Sequence, residues 1–524
     1  MSPTRVLRPV KVRPRPLADL LPENGKLVPA APGEVNVTGV THDSRAVRPG
    51  DLYAALPGAR AHGAQFVPQA AEAGAVAVLT DPAGAGAVAE TGLPALIVED
   101  PRAALGEIAA RVYGDPSAEL TIVGITGTNG KTTTAYLIEA GLRAAGHVTG
   151  LLGTVETRLA DEVLPSVRTT PEAPDLQALL AVALERGVTA VVMEVSSHAL
   201  ALSRVEGVRF AVGVFTNLGE DHLDFHADLD DYFLAKARLF DGRCAREVVN
   251  IDDPAGRRLV DAGTLTVSPS GGEGAAWRVV GRAADRAGQT FRLLGPDGIA
   301  LDTGVGMPGE YNVDNAALAA VALIAAGVEP GVAASAVAGA AAVPGRMEQV
   351  RVEHAPDDPA AETVARVAGV SGEEILAVVD YAHDPLSVAA ALATLRPVTK
   401  GRLICVLGCG GDRDTGKRPL MGAAAARGSD VFIVTDDNPR SEDPWAIRAA
   451  MLAGVTAVPA EERGEVVEVG DRRGAIAEAV RRSEAGDTIA VLGKGHEQGQ
   501  EVGDVVHPFD DREVLAAALR EVYG

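Results

Sequence analysis

Cysteine is nearly absent from this chain. The three that occur, Cys244, Cys405 and Cys409, cannot build a disulfide framework, and the Cys405 to Cys409 spacing fits neither a redox pair nor a zinc pair. A reducing cytoplasm is the expected setting. Long apolar runs are lacking too: the most apolar stretch, AALAAVALIAAG at 316–327, stops at Glu329-Pro330, too short to span a bilayer. It reads as a buried helix. Positive charge is in deficit, with 48 Lys and Arg against 71 Asp and Glu and a formal net charge of −23, which argues against nucleic acid or an anionic membrane as the main partner. Acidic ligands would need local basic pockets. The opening MSPTRVLRPVKVRPRP has no apolar core of a secretory signal, and residues 1–34 are expected to be a disordered tail.

What is present is an ordinary globular composition, 47% hydrophobic and 23% charged over 524 residues, long enough for about three domains. Residues 35–117 read as short strands and Gly/Pro turns of a small α/β domain. At LTIVGIT (120–126) a buried strand runs into a glycine loop and then a helix from Thr132 to Ala145, with further strands at 189–196 and 210–218. After a break near 340–350, EILAVVDYA, RLICVLGC, DVFIVTDD and DTIAVLGKG alternate with helices such as AIRAAMLAG. Apolar strands alternating with helices mean parallel sheets covered on both faces. The expected fold class is therefore α/β, with a central phosphate-loop domain (118–344) and a doubly wound C-terminal domain (345–524). In such sheets ligands bind beyond the carboxyl ends of the strands.

The polar clusters lie at those ends. In GITGTNGKTT (124–133), Gly127 and Gly130 free backbone N–H groups for phosphate, Lys131 adds a point charge, and Thr132 would hold Mg²⁺. The first glycine of an ordinary Walker loop would stand at 125, where the chain has Ile. VVMEVSSHAL ends a neighbouring strand with Glu194, placed for a second Mg²⁺ contact, and TNLGEDHLDFH ends a third with Asn217, Asp221, His222 and Asp224. Taken alone, Glu194 reads as a helix cap or a paired structural carboxylate, which the phosphate loop before it reverses; a lone histidine such as His222 reads as structural, against which the acidic groups around it set a metal role; and Lys236 in DYFLAKARLF reads as a lysine with its head in water. CGGDRDTGKRP, TDDNPRSEDP and LGKGHEQG bring Arg413, Arg440, Lys494, His496 and Glu497 to further strand ends, a charge mixture suited to a small zwitterion with an extra carboxylate.

Taken in order, GTNGKTT, EVSSHAL, NLGEDHLDFH, FLAKARLF, PGRME, DYAH, GCGGDRDTGKRP, DNPR and GKGHE closely resemble the Mur ligases. Within that family they resemble the members that add 2,6-diaminopimelate to the D-glutamate γ-carboxylate of UDP-N-acetylmuramoyl-L-alanyl-D-glutamate in peptidoglycan precursor synthesis. The offset glycine loop is the form that this family carries. The resemblance implies three domains, for the UDP-substrate, for ATP, and for the incoming amino acid. It implies ATP contacts from Gly127, Thr128, Asn129, Gly130, Lys131, Thr132, Thr133, Asn315, Arg346 and His383. Ser44, His62, Gly63, Ala64, Thr169, Thr170, Ser196 and Arg204 would hold the UDP-substrate. Thr132, Glu194, His222 and a CO₂-carbamylated Lys236 would bind Mg²⁺. Arg413, Asp437, Asn438, Pro439, Arg440, Gly493 and Glu497 would hold diaminopimelate, Arg440 pairing with its distal carboxylate, so that lysine leaves a buried guanidinium unpaired. Lys131, Lys236, His222 and Glu194 are the implied catalytic group. The chain departs from the family pattern at Leu202, where glutamine is frequent, and at Asp384-Pro385-Leu386 after His383.

An amine cannot displace hydroxide from a carboxylate, so the implied chemistry is activation as an acyl phosphate followed by amine attack, with domain closure excluding water. A monomer, without nucleic-acid or membrane partners, is expected. The loop alone also suits a lysine-adding ligase, a folylpolyglutamate synthetase, a nucleotide-driven switch or a silent nucleotide-binding partner.

Overall fold

In the computed structural model, which describes residues 7–29, 34–58, 61–164, 168–223, 225–284, 288–351 and 375–523, the phosphate-loop strand Thr121–Thr126 lies inside a parallel sheet. In spatial order this part of the sheet runs Thr149–Leu152, Ala190–Glu194, Thr121–Thr126, Phe210–Phe215, Cys244–Asn250 and Leu265–Ser268. Both faces are covered, so Ile122, Val123, Ile125, Val191, Val192, Val212 and Val214 are all buried. That is why these strands read as continuous apolar runs rather than alternating ones. Gly124 belongs to this packing: a Cβ there would come within 2.6 Å of the Phe210 ring. The helix Glu310–Ala325 contains residues 316–325 of the alanine-rich run, and Ala316 to Leu323 are buried along it.

A second sheet orders Lys26–Val28, Ala95–Ile97, Ala77–Thr80, Asp51–Ala54 and Gly39–Thr41. Its first strand comes from the stretch expected to be a disordered tail, which is a correction over residues 7–29. Arg8 reaches both oxygens of buried Asp51, at 2.6 and 2.7 Å. The Val10 and Lys11 amides donate to the Glu185 carboxylate, and Leu17 and Leu20 enter the core. The stretch is tied down by partners far away in sequence. These sheets share one compact unit, residues up to 280 with 292–303 and 314–337. Within it the helix Pro101–Tyr113 packs on the helix Ala173–Glu185, and Gly106 lies so near the Glu206 carbonyl that a Cβ would clash at 2.2 Å.

The other unit comprises 281–291, 304–313 and 338 onward. Its sheet runs Glu348–Gln349, Leu376–Asp380, Thr488–Leu492, Leu403–Leu407, Val431–Val434, Glu465–Glu468, parallel except for the first pair. Alternate strand residues serve opposite cores. Leu403, Cys405 and Leu407 pack with Leu392, Met421 and Met451 on one face; Ile404 and Val406 pack with Ile476, Val480 and Leu515 on the other. Cys405 and Cys409 are thus free core residues. Burial pushes both thiols above their ordinary pKa.

Candidate active site

The loop that begins after Thr126 turns on two glycines. Gly127 has φ +146° and Gly130 φ +86°; side chains there would strike Thr216 Oγ1 at 1.9 Å and Asn315 Oδ1 at 2.2 Å. Glycine is required at both by conformation and by space. The loop is braced by the end of the adjacent strand: Thr128 N donates to Asn217 O at 2.9 Å, Asn129 N to Asn217 Oδ1 at 2.9 Å, and Thr216 Oγ1 to Asn129 O at 2.6 Å. Gly130 precedes the helix Lys131–Ala144 and has no side chain to cap it, which leaves the first-turn N–H groups without a side-chain acceptor, as an anion site requires. Lys131 Nζ donates to the carbonyls of Gly127 and Thr128, at 2.9 and 2.8 Å. Thr133 is buried in the first turn, and Asn315 accepts from Thr134 Oγ1 at 3.4 Å beside Gly130.

Glu194 is 1% exposed and gathers several donors. Its Oε1 accepts from Thr132 Oγ1 at 3.0 Å and Thr154 N at 2.9 Å, and its Oε2 from Thr154 Oγ1 at 3.0 Å. The network continues from Thr154 to Thr169 Oγ1 at 3.0 Å. Thr170 Oγ1 donates to the Glu194 carbonyl and accepts from Ser196 N. Arg204 reaches the Thr170 carbonyl at 3.4 Å and Glu172 at 2.9 Å. Thr169, Thr170, Ser196, Arg204, Thr132 and Glu194 therefore come together around the carboxyl end of the strand Ala190–Glu194. Leu202 is the C-cap of the helix Ser197–Ala201, and the turn that follows carries Arg204. Burial lowers the Arg204 pKa from its ordinary value, partly offset by Glu172.

Lys236 is not the water-facing lysine that its local sequence suggests. It is 1% exposed, donates to Gly127 O at 2.7 Å and lies 4.2 Å above the Tyr232 ring. Burial, and then the nearby Lys131 charge, hold its pKa well below the ordinary lysine value, which favours the neutral amine. His222 stands at the rim with φ +55°, its ring 4.8 Å from His198 and 6.1 Å from Tyr232, and it pairs with Asp221 at 3.4 Å. Asp224 lies outside the described residues. In the small sheet, His62 accepts from Ala64 N through Nδ1 and bonds Asp81 through Nε2, while Tyr53 OH donates to Gly63 O. Ser44 donates to Gln69 on the following helix.

In the other unit, strand ends assemble a second cluster. Lys494 Nζ is fully buried between Asn438 Oδ1 at 2.8 Å, Glu497 Oε2 at 2.9 Å and Asp437 Oδ1 at 3.7 Å. Asn438 Nδ2 also donates to Glu497 at 2.9 Å. Gly493, at φ +112°, passes so near Asp437 that a Cβ would meet its Oδ2 at 2.7 Å. Pro439 packs its carbonyl against Gly411, and Arg413 is exposed on the loop beyond. Arg346 stacks over Tyr381 at 4.6 Å, with the His383 and His496 rings 4.4 and 5.0 Å from that tyrosine. His496 is pushed down to about 4 by burial and by Arg346. The departure after His383 has a local reason: Asp384 caps the helix Pro385–Leu395 in a reciprocal box with Ser387.

Three family profiles match this layout in order. They are "Mur ligase family, catalytic domain" at 36–113, "Mur ligase middle domain" at 125–323 and "Mur ligase, glutamate ligase domain" at 345–495. The chain belongs to the Mur ligase family. Among its relatives, the UDP-N-acetylmuramoyl-L-alanyl-D-glutamate–2,6-diaminopimelate ligase of Streptomyces coelicolor is 54% identical, with 99% of each chain covered. The enzyme of the same name from Corynebacterium glutamicum is 47% identical, with 94% of each covered. A solved structure with that enzyme name superposes with a TM-score of 0.67 at 32% identity, covering 93% of this chain and 96% of the other. MurF from Acinetobacter baumannii shares the fold at 19% identity and a TM-score of 0.61.

For a Mur ligase, the Thr132 hydroxyl and Glu194 carboxylate form an oxygen donor pair suited to Mg²⁺. No group of three or more His, Cys, Asp or Glu side chains that could hold a metal occurs among the described residues. Mg²⁺ needs none, since it is usually held by one or two side chains with water and substrate phosphates. Sequence reasoning missed three residues. Thr154 follows the strand Thr149–Leu152 and could have been found as a strand end beside Glu194. Glu172, which pairs with Arg102 and Arg168 as well as Arg204, left no local signal. Glu501 is the third: its carboxylate holds Arg440 at 2.9 Å. The expectation that lysine would leave Arg440 unpaired is therefore corrected, because a carboxylate of the chain itself already sits on the guanidinium.

Proposed function

We propose that this Mur ligase uses ATP to activate the D-glutamate γ-carboxylate of UDP-N-acetylmuramoyl-L-alanyl-D-glutamate and joins it to an amino group of 2,6-diaminopimelate, as a cytoplasmic monomer. The observation that carries the reading is the presence, in one chain, of a phosphate loop tied through Thr132 to Glu194 and of the Asp437–Asn438–Pro439–Arg440 turn at a strand end of the other unit. A carboxylate oxygen attacks the γ-phosphorus of ATP and ADP departs. The amine then attacks the acyl carbon, phosphate leaves, and the nitrogen loses a proton. The helix N-terminus and Lys131 neutralise charge on the moving phosphoryl group. Mg²⁺, which Thr132, Glu194, His222 and a carbamylated Lys236 would hold, would supply further charge neutralisation. As a neutral amine, Lys236 can add to the carbon of CO₂ and release a proton, which turns it into an anionic carbamate. Arg346, His383 and Asn315 would serve the nucleotide. Ser44, His62, Gly63, Ala64, Thr169, Thr170, Ser196 and Arg204 would hold the UDP-substrate.

The test is phosphate release and product mass with each substrate omitted in turn, and with meso-diaminopimelate, LL-diaminopimelate and L-lysine as acceptors. Phosphate should appear only with ATP, the UDP-dipeptide and an acceptor together. Because Glu501 already partners Arg440, discrimination against lysine is expected at about ten- to a hundredfold in kcat/KM rather than thousands. Equal values for lysine would overturn the amino-acid assignment, and acceptor-independent hydrolysis would overturn the ligase reading.

A further inference from the structure

We infer that Glu501 is a positioning residue for Arg440, gripping the guanidinium at Nε so that its Nη edge is offered to the carboxylate of the incoming amino acid. The substrate named in this inference rests on the function proposed above; the geometry does not. Arg440 stands at φ +52°, a left-handed conformation that a side chain of this size rarely adopts and that needs outside support. The hairpin of Gly499–Val502 and Val505–Pro508 provides it. Arg440 N donates to Glu501 O at 3.0 Å, and Gly503 N donates to Arg440 O at 2.7 Å. The hairpin is itself tied to the turn: Glu501 N donates to Asn438 Oδ1 at 3.0 Å, and Gln500 Nε2 to Asp437 O at 2.7 Å.

The side chain is held at two further points, Nε on Glu501 Oε2 at 2.9 Å and Nη1 on Gly411 O at 2.7 Å. A guanidinium is a rigid planar fork, so fixing two of its N–H directions fixes its plane. What remains are the Nη N–H groups not spent on Gly411, which can donate to a carboxylate in charge-assisted bonds. The Glu501 side chain is 42% exposed and that of Arg440 21%. An ion pair this wet contributes little to folding. Its removal should therefore register in substrate orientation and leave the fold intact.

The experiment compares Glu501→Ala and Glu501→Gln with the unaltered full-length chain. Glutamine keeps an acceptor for Nε, whereas alanine removes it. The expected result is a KM for diaminopimelate raised about five- to thirtyfold in Glu501→Ala and within about threefold in Glu501→Gln, with KM for ATP and the UDP-dipeptide and the Tm unchanged. A lowered KM in the alanine variant would show that the carboxylate merely competes with substrate and would overturn the inference. So would no change, or a parallel rise of all three constants. A second readout is independent of turnover. In protein labelled with ¹⁵N-arginine, the Nε–H signal that disappears in Arg440→Lys should be protected from solvent exchange in the unaltered and glutamine chains and exchange-broadened in the alanine variant. Equal protection in all three overturns the positioning role. Failure of the unaltered chain to ligate diaminopimelate overturns the substrate reading instead, and the exchange data still decide on Glu501.

Discussion

Lys236 shows how far a single side chain can be moved from its ordinary behaviour. Its amine is enclosed by Tyr232 and the Gly127 carbonyl, with Lys131 donating to that same carbonyl. Burial first, and Lys131 second, lower its pKa, so over the interval between the depressed value and the ordinary one the unfolded chain binds a proton that the folded chain does not. Stability attributable to this residue must then rise with pH across that interval and be lost as pH falls through the folded pKa, levelling off below it. In CO₂-free buffer, the unfolding free energy of the unaltered chain minus that of Lys236→Met is expected to increase by up to about 1.4 kcal/mol per pH unit over that window. Urea titrations at several pH values check it. A flat difference would mean that the amine is charged when folded, and the route to a carbamate through a neutral amine would fall with it.

At the scale of elements, the second unit holds two of its helix starts together by one buried pair. Arg472, at the head of Arg472–Arg482, donates through Nε and Nη2 to both oxygens of Asp511, at the head of Asp511–Tyr523, at 2.7 and 2.6 Å with both side chains fully buried. The same guanidinium caps the Leu492 carbonyl at 2.9 Å, where the strand Thr488–Leu492 ends and the Gly493–Glu497 turn begins. Arg472→Met should cost about 3 to 5 kcal/mol, because it leaves Asp511 buried without its counter-charge. The double variant Arg472→Met/Asp511→Leu should recover most of that stability. A single variant that unfolds no more easily than the unaltered chain would show that water repairs the site. In the first unit, His226 plays a comparable linking part. It bonds Ser197 on the helix Ser197–Ala201 at 3.0 Å and Asp231 on the helix of Lys236 at 3.3 Å.

For the whole molecule, the N-terminal segment is the part whose importance is least visible locally. Residues 7–29 contribute a strand to the small sheet, two core leucines and a nearly buried Arg8–Asp51 pair. Burying each leucine is worth about 1.5 to 3 kcal/mol, and removing Arg8 leaves Asp51 with a buried charge. Deleting residues 1–29 is therefore expected to lower the first thermal transition by several degrees and to weaken UDP-substrate binding, while Leu17→Ala alone costs about 2 to 5 kcal/mol. Calorimetry with and without the UDP-dipeptide tests this. An unchanged first transition would make the segment dispensable.

The sequence alone determined the features that short-range spacing encodes. The strand, loop and helix around Gly127 and Gly130, the two parallel sheets with their doubly buried strands, and the polar turns at strand ends were all legible, because backbone conformation and face burial leave periodic local marks. Thr132 and Glu194 could be paired in advance, since a carboxylate ending a strand next to the phosphate loop is placed for a second Mg²⁺ contact. Tertiary structure alone decided what depends on partners remote in sequence. Lys236 is buried because Gly127, 109 residues away, supplies its acceptor. Arg440 is already paired because Glu501, 61 residues on, folds back in a hairpin. The segment 7–29 is ordered because Asp51 and Glu185 receive it. A side chain's local pattern states what it can bond; only the fold decides which acceptor is within reach and how much water is left around it.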